Sequence, residues 1–123
     1  MVLKVKKIIL KEQNFKREDI IKGNIKFELK LELRIIKKEK MSETKDEDLV
    51  SEIIANLIGR LEDNSVVITA MCKYILVYEN DAKLIEVNDN EIEEETKNII
   101  FPYIRETLHS ITFKGGIPGL IIP

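Results

Sequence analysis

The sequence predicts an α+β fold in which antiparallel strands come first and helix comes last. Three stretches carry that prediction. Ile25, Phe27, Leu29, Leu31, Leu33 and Ile35 alternate with Lys26, Glu28, Lys30, Glu32 and Arg34, a period-2 strand with one dry face and one charged face. Val66 to Tyr78 alternates too, with Val66, Ile68, Ala70, Cys72, Tyr74 and Leu76 on one side and Val67, Met71, Ile75 and Val77 on the other. Both sides are mostly dry, as in a central strand. The last quarter then changes to helical spacing. Wound at about 100° per residue, Ile99, Ile100, Tyr103 and Ile111 fall on one side, Phe101 and Leu108 on another, with Ile104 between them.

From the N-terminus, Val2 to Leu10 is rich in β-branched residues and reads as a first strand. Its apolar parity changes after Val5, which places a bulge near Lys6-Lys7. Glu12 to Asp19 reads as a polar segment around one aromatic, Phe15, and Gly23-Asn24 as a turn. The alternating strand follows, its mixed charges discouraging edge-to-edge pairing. Lys37 to Asp48 reads as a solvated hairpin loop. Leu49, Ile53, Ile54, Leu57, Ile58 and Leu61 fit an amphipathic helix on spacing alone.

Asp63-Asn64-Ser65 makes the turn into the strand Val66–Tyr78. Asn88 with Glu91 resembles a capping box at the start of a short helix from Asp89 to about Lys97. A proline in a helix interior breaks it, so a second, long helix is expected to begin near Asn98 with Pro102 in its first turn. It ends near Phe113, where Gly115-Gly116 supply the cap.

One domain suits 123 residues, a length that buries roughly two-thirds of the unfolded surface. The 20 basic and 22 acidic residues, net −2, are intermingled, which argues against a nucleic-acid protein with its basic stripe. The single cysteine, Cys72, excludes an intramolecular disulfide and a Cys-based zinc site. No apolar run approaches a transmembrane length, and the first residues lack the order of a signal peptide. A cytoplasmic protein with no membrane partner is expected.

No catalytic or metal constellation stands out. His109 is the one histidine, beside Arg105 on the helix's polar edge. The run Glu93-Glu94-Glu95 points around a helix instead of converging on a cation. No enzyme activity and no cofactor are expected.

Two blocks carry a family resemblance. Phe101-Pro102-Tyr103-x-Arg105-Glu106, followed by Gly115-Gly116-Ile117-Pro118-x-Leu120, resembles the C-terminal signature of the bacterial export chaperone SecB and its relatives. The resemblance implies four antiparallel strands, with the third at Leu49–Leu61 and a weak point at Gly59. The fold class is then α+β, a four-stranded antiparallel sheet followed by a short helix and a long C-terminal helix. It also implies a single chaperone domain over 1–123 that lacks the family's last helix and acidic tail. The first strand leads, as in the family, to an acid and an aromatic, Glu12 and Phe15. Lys16 stands where the family has Glu, and Thr69-Ala70-Met71 poorly match its acidic docking surface.

The function this resemblance implies is ATP-independent holding of unfolded polypeptides in apolar grooves, in the service of protein export, with the translocase motor SecA as a further partner. Phe15, Ile117, Leu120, Ile121 and Ile122 are the candidate client-binding residues. The long helix is apolar over more than half its circumference, more than a monomer's surface helix needs. A second copy of the chain is therefore expected on it, through Ile100, Phe101, Tyr103, Ile104, Leu108 and Ile111. The resemblance makes that assembly a tetramer, a dimer of dimers. Two alternatives are a relative dedicated to the antitoxin of a toxin–antitoxin pair, and a purely self-assembling protein without clients.

Overall fold

The computed structural model describes residues 4–35, 49–79 and 88–117. Four strands and one helix follow in order: β1 (Val5–Arg17), β2 (Lys26–Ile35), β3 (Leu49–Arg60), β4 (Val66–Tyr78) and α1 (Asp89–Lys114). The strands form one antiparallel sheet in the order β1-β4-β3-β2. β2, β3 and β4 are sequential neighbours, whereas β1 lies beyond β4. The chain between β1 and β2 therefore crosses the end of the sheet, about 14 Å over three strand spacings.

β1 is longer than its apolar pattern suggested. It shifts register between Val5 and Lys7, where the parity change placed a bulge, and again between Leu10 and Glu12. It then pairs with β4 through Arg17, so the segment read as polar connection is strand as far as Arg17. Hydrogen bonding to a well-buried neighbour fixes its backbone despite few apolar side chains.

β3 settles the ambiguous stretch as strand. It pairs with β2 on one side and β4 on the other, so both of its edges are hydrogen-bonded, while Leu49, Ile53, Ala55 and Leu57 are buried on the helix side. A strand apolar on both faces contains helix-like spacings by accident. Gly59 marks a register shift. A Cβ there would stand 2.9 Å from Ile25 Cγ2 and 3.1 Å from the Phe27 ring, so glycine permits that close approach.

Leu49, Ile53, Ala55 and Leu57 of β3, with Ile68, Ala70, Cys72, Tyr74, Leu76 and Tyr78 of β4, form the buried face under α1. The helix is continuous, which corrects the expectation of a short helix and a second one. Asn88 caps it, its side chain accepting from Glu91 N at 2.9 Å. Pro102 sits well inside it. Asn98 and Pro102 are both exposed, so water can satisfy the Asn98 carbonyl that proline deprives of a donor.

The helix ends in a Schellman arrangement. Ile117 N donates to Thr112 O (2.9 Å) and Gly116 N to Phe113 O (3.0 Å), with Gly116 at φ +84°. Hydroxyls tie α1 to the sheet. Tyr78 and Thr96 share a 2.5 Å hydrogen bond, and the Tyr74 hydroxyl meets Thr107 and the Tyr103 carbonyl.

Candidate functional site: an apolar ledge beside the helix

The sheet is wider than the helix that covers it. α1 packs on β4 and β3, leaving the outer strands of the same face half covered. On β2 these are Phe27, Leu29, Leu31, Leu33 and Ile35, all half-buried and packed against the core edge. Side chains of one strand face repeat every two residues, so the row runs about 27 Å. On β1 the equivalent row is Val5, Ile8 and Phe15, with Leu10 left 42% exposed.

Four rows run along α1 at four-residue spacing. Ile92, Thr96, Ile100, Ile104, Leu108 and Thr112 are buried against the sheet. Opposite them Glu94, Asn98, Pro102, Glu106, Ser110 and Lys114 are exposed. The two flanks between hold the remaining apolar groups. One has Ile99, Tyr103, Thr107 and Ile111. The other has Phe101, Arg105, His109 and Phe113, with the Arg105 guanidinium 4.9 Å over the Phe101 ring and His109 stacked on Phe113.

This arrangement corrects half of the expected interface. Ile100, Ile104 and Leu108 are fully buried beneath their own sheet, so they have no surface for a second copy. Phe101, Tyr103 and Ile111 stay on the open flanks, with Tyr103 45% exposed and Phe113, on the other flank, 60%. The wide apolar wheel has a geometric origin. A strict four-residue repeat gains about 40° per step on an ideal helix, so the buried stripe spirals and looks two-sided on a straight projection.

Of the expected client-binding residues, Phe15 reaches the helix C-terminus and Ile117 follows it in the chain. The Phe15 ring occupies the space a Cβ would need at Gly115, and Arg17 Nη1 donates to Gly115 O at 2.9 Å. Ile117 follows at once and is half-buried. Leu120, Ile121 and Ile122 lie outside the described residues. The β2 row was read only as the dry side of a strand. Its incomplete cover depends on strand order, which alternation does not encode.

No protein-family model matches the sequence, and no curated protein matches it. A search of solved structures finds the Mycobacterium tuberculosis SecB-like chaperone Rv1957, solved in complex with a ChAD peptide from the Rv1956 HigA1 antitoxin. The TM-score is 0.72 at 18% identity, covering 98% of this chain and 88% of that one. The fold is SecB-like. At that identity the likeness concerns architecture: a SecB-like sheet of four antiparallel strands under one long helix.

Cys72 is buried, and burial pushes its thiol up to about 11, so the thiolate that nucleophilic chemistry needs is scarce at neutral pH. Burial raises Tyr78 as well, with the Thr96 hydrogen bond opposing it. His109 is exposed and stacked on the Phe113 ring. Among the described residues no three His, Cys, Asp or Glu side chains group as metal ligands. No described helix is long and apolar enough to cross a membrane.

Proposed function

We propose that this protein is an ATP-independent holdase that keeps non-native polypeptides unfolded by lodging extended apolar segments on the β2 ledge beside α1. The observation that carries the reading is the row of five half-covered apolar side chains, Phe27 to Ile35. Such a strip fits a client of about eight extended residues. Phe15 and Ile117 line the corner where the helix ends, and Leu120, Ile121 and Ile122 continue the apolar character of that segment.

Burying the remaining halves of the five side chains contributes roughly 5 kcal/mol gross. Ordering an unfolded client costs a comparable amount, so one ledge holds weakly. Effective holding then requires several ledges on one particle. That favours a homo-oligomer built through the flanks of α1, a tetramer in the arrangement the SecB resemblance implies. Nothing in such a cycle calls for a catalytic group or cofactor, and the cytoplasm is the compartment that fits it.

Two services remain for such a holdase. Delivery of precursors to SecA rests on the sequence resemblance. Guarding an antitoxin rests on a separate observation, the antitoxin peptide bound to the structurally similar Mycobacterium tuberculosis chaperone. Both use the same ledge.

The test is suppression of aggregation. At a few-fold excess the protein is expected to slow aggregation of a chemically unfolded client. Leu31→Ser, checked by circular dichroism for an intact fold, is expected to lose most of that effect. A purified protein that leaves aggregation unchanged would leave self-assembly alone as its role.

A further inference from the structure

The end of α1 is tied to the end of β1 by a single guanidinium. Arg17 is the last residue of β1 and is half-buried. It donates twice, each time to a backbone carbonyl: Nε to Glu18 O at 2.9 Å and Nη1 to Gly115 O at 2.9 Å. Among the described residues it pairs with no carboxylate. Gly115 caps α1, and its carbonyl is among those a helix leaves without an internal partner.

A lysine would satisfy that carbonyl and the negative end of the helix as well. It is a point charge on a flexible stem, however, whereas a guanidinium is a planar fork that holds two acceptors at a set spacing. Here the two acceptors belong to different elements, one just past β1 and one at the cap of α1. Their spacing matters because the chain turns at this place. Gly115 N donates to Ile111 O, Gly116 N to Phe113 O and Ile117 N to Thr112 O, which fixes Ile117 relative to α1 alone. Its place relative to the sheet depends on β1. The Phe15 ring blocks one side of Gly115, and Arg17 Nη1 stands 3.1 Å from where a Cβ on Gly116 would lie. Side chains of β1 thus meet both glycines that precede Ile117.

We infer that Arg17 is a positioning residue for client capture: by bridging the Glu18 and Gly115 carbonyls it fixes where Ile117 stands relative to β1, and so how the corner at the end of α1 is presented to a client. Resting on the holdase function proposed above, this role concerns the corner alone. The β2 row lies at the opposite edge of the sheet from β1 and is built without Arg17.

The experiment places a benzophenone side chain at position 117 of the intact chain and, in separate samples, at positions 29, 31 and 33, with an unfolded client added before illumination. With Arg17 in place, all four positions are expected to capture the client. Arg17→Met keeps the apolar stem and removes the donors; it should lower capture at 117 about tenfold, and Arg17→Lys nearly as far. Capture at 29, 31 and 33 should be unchanged in both variants. Full recovery by Arg17→Lys would make the role one of charge and overturn the inference, as would unchanged capture at 117 in Arg17→Met. A loss spread equally over all four positions would also overturn it, reducing Arg17 to support of the fold. Capture at 29, 31 and 33 but never at 117 would leave the ledge standing and remove the corner together with its positioning residue. Capture at no position would remove the holdase function itself.

Discussion

Gly115 shows how tightly single positions are specified where β1 meets the end of α1. Alanine there would drive its methyl into the Phe15 ring, and an overpacked contact of this kind costs about 1–3 kcal/mol. Phe15→Leu added to Gly115→Ala is expected to recover part of that loss in urea unfolding. Gly116→Ala pays instead for a left-handed backbone at φ +84°, about 1 kcal/mol. Cys72 gives a pH prediction with a definite sign. Its folded pKa of about 11 lies above the ordinary 9.0, so the unfolded chain loses that proton first as pH rises. The contribution is complete below pH 9 and disappears between about 9 and 11, up to roughly 3 kcal/mol. Cys72→Ala should flatten that limb of the stability profile, and thiol-reactive dye should label the native protein at pH 8 only as fast as it unfolds. Of these residues the sequence exposed the glycine cap and the packed cysteine. The Phe15–Gly115 contact was hidden, because it joins positions a hundred residues apart through a strand extension that polar residues disguised.

Among the elements, α1 and β3 explain where pattern reading succeeds and fails. The alternation of β2 and β4 was legible because each carries it without interruption. β3 was not legible from spacing, since Val50, Ile54 and Ile58 on its second face blur the alternation that separates strand from helix; the family likeness supplied the answer. In α1 the cap at Asn88 and the stop at Gly115-Gly116 were legible. Continuity through Pro102 was not, because it depends on the exposure of that helix face, which only the packed structure supplies. Pro102→Ala should therefore stabilise the helix, by roughly 1–3 kcal/mol in urea unfolding. Tyr78→Phe should cost about 1 kcal/mol by removing the bond to Thr96, with Thr96→Val giving little further loss in the Tyr78→Phe background.

For the whole molecule, the sheet has two unlike faces, an apolar ledge on the helix side and a face of mixed charge behind. The helix beside the ledge is covered by its own sheet along one row and open along the other three, two of which carry apolar groups. This divides the expected interface into testable halves. Ile104→Asp places an unpaired charge in the core and should unfold the chain, since burying such a group is among the few changes that cost over 4 kcal/mol. Tyr103→Ala should leave the fold intact and lower the mass seen by light scattering. An unchanged mass would remove this flank from the assembly.

The ledge itself is tested most directly by site-specific photo-crosslinking along β2. A benzophenone side chain is placed in turn at positions 28 to 33, and an unfolded client is added before illumination. Positions 29, 31 and 33 should capture the client and positions 28, 30 and 32 should not, following the period of the strand. Capture that is uniform along β2, or confined to the charged positions, would contradict the assignment of the apolar ledge as the place where clients are held.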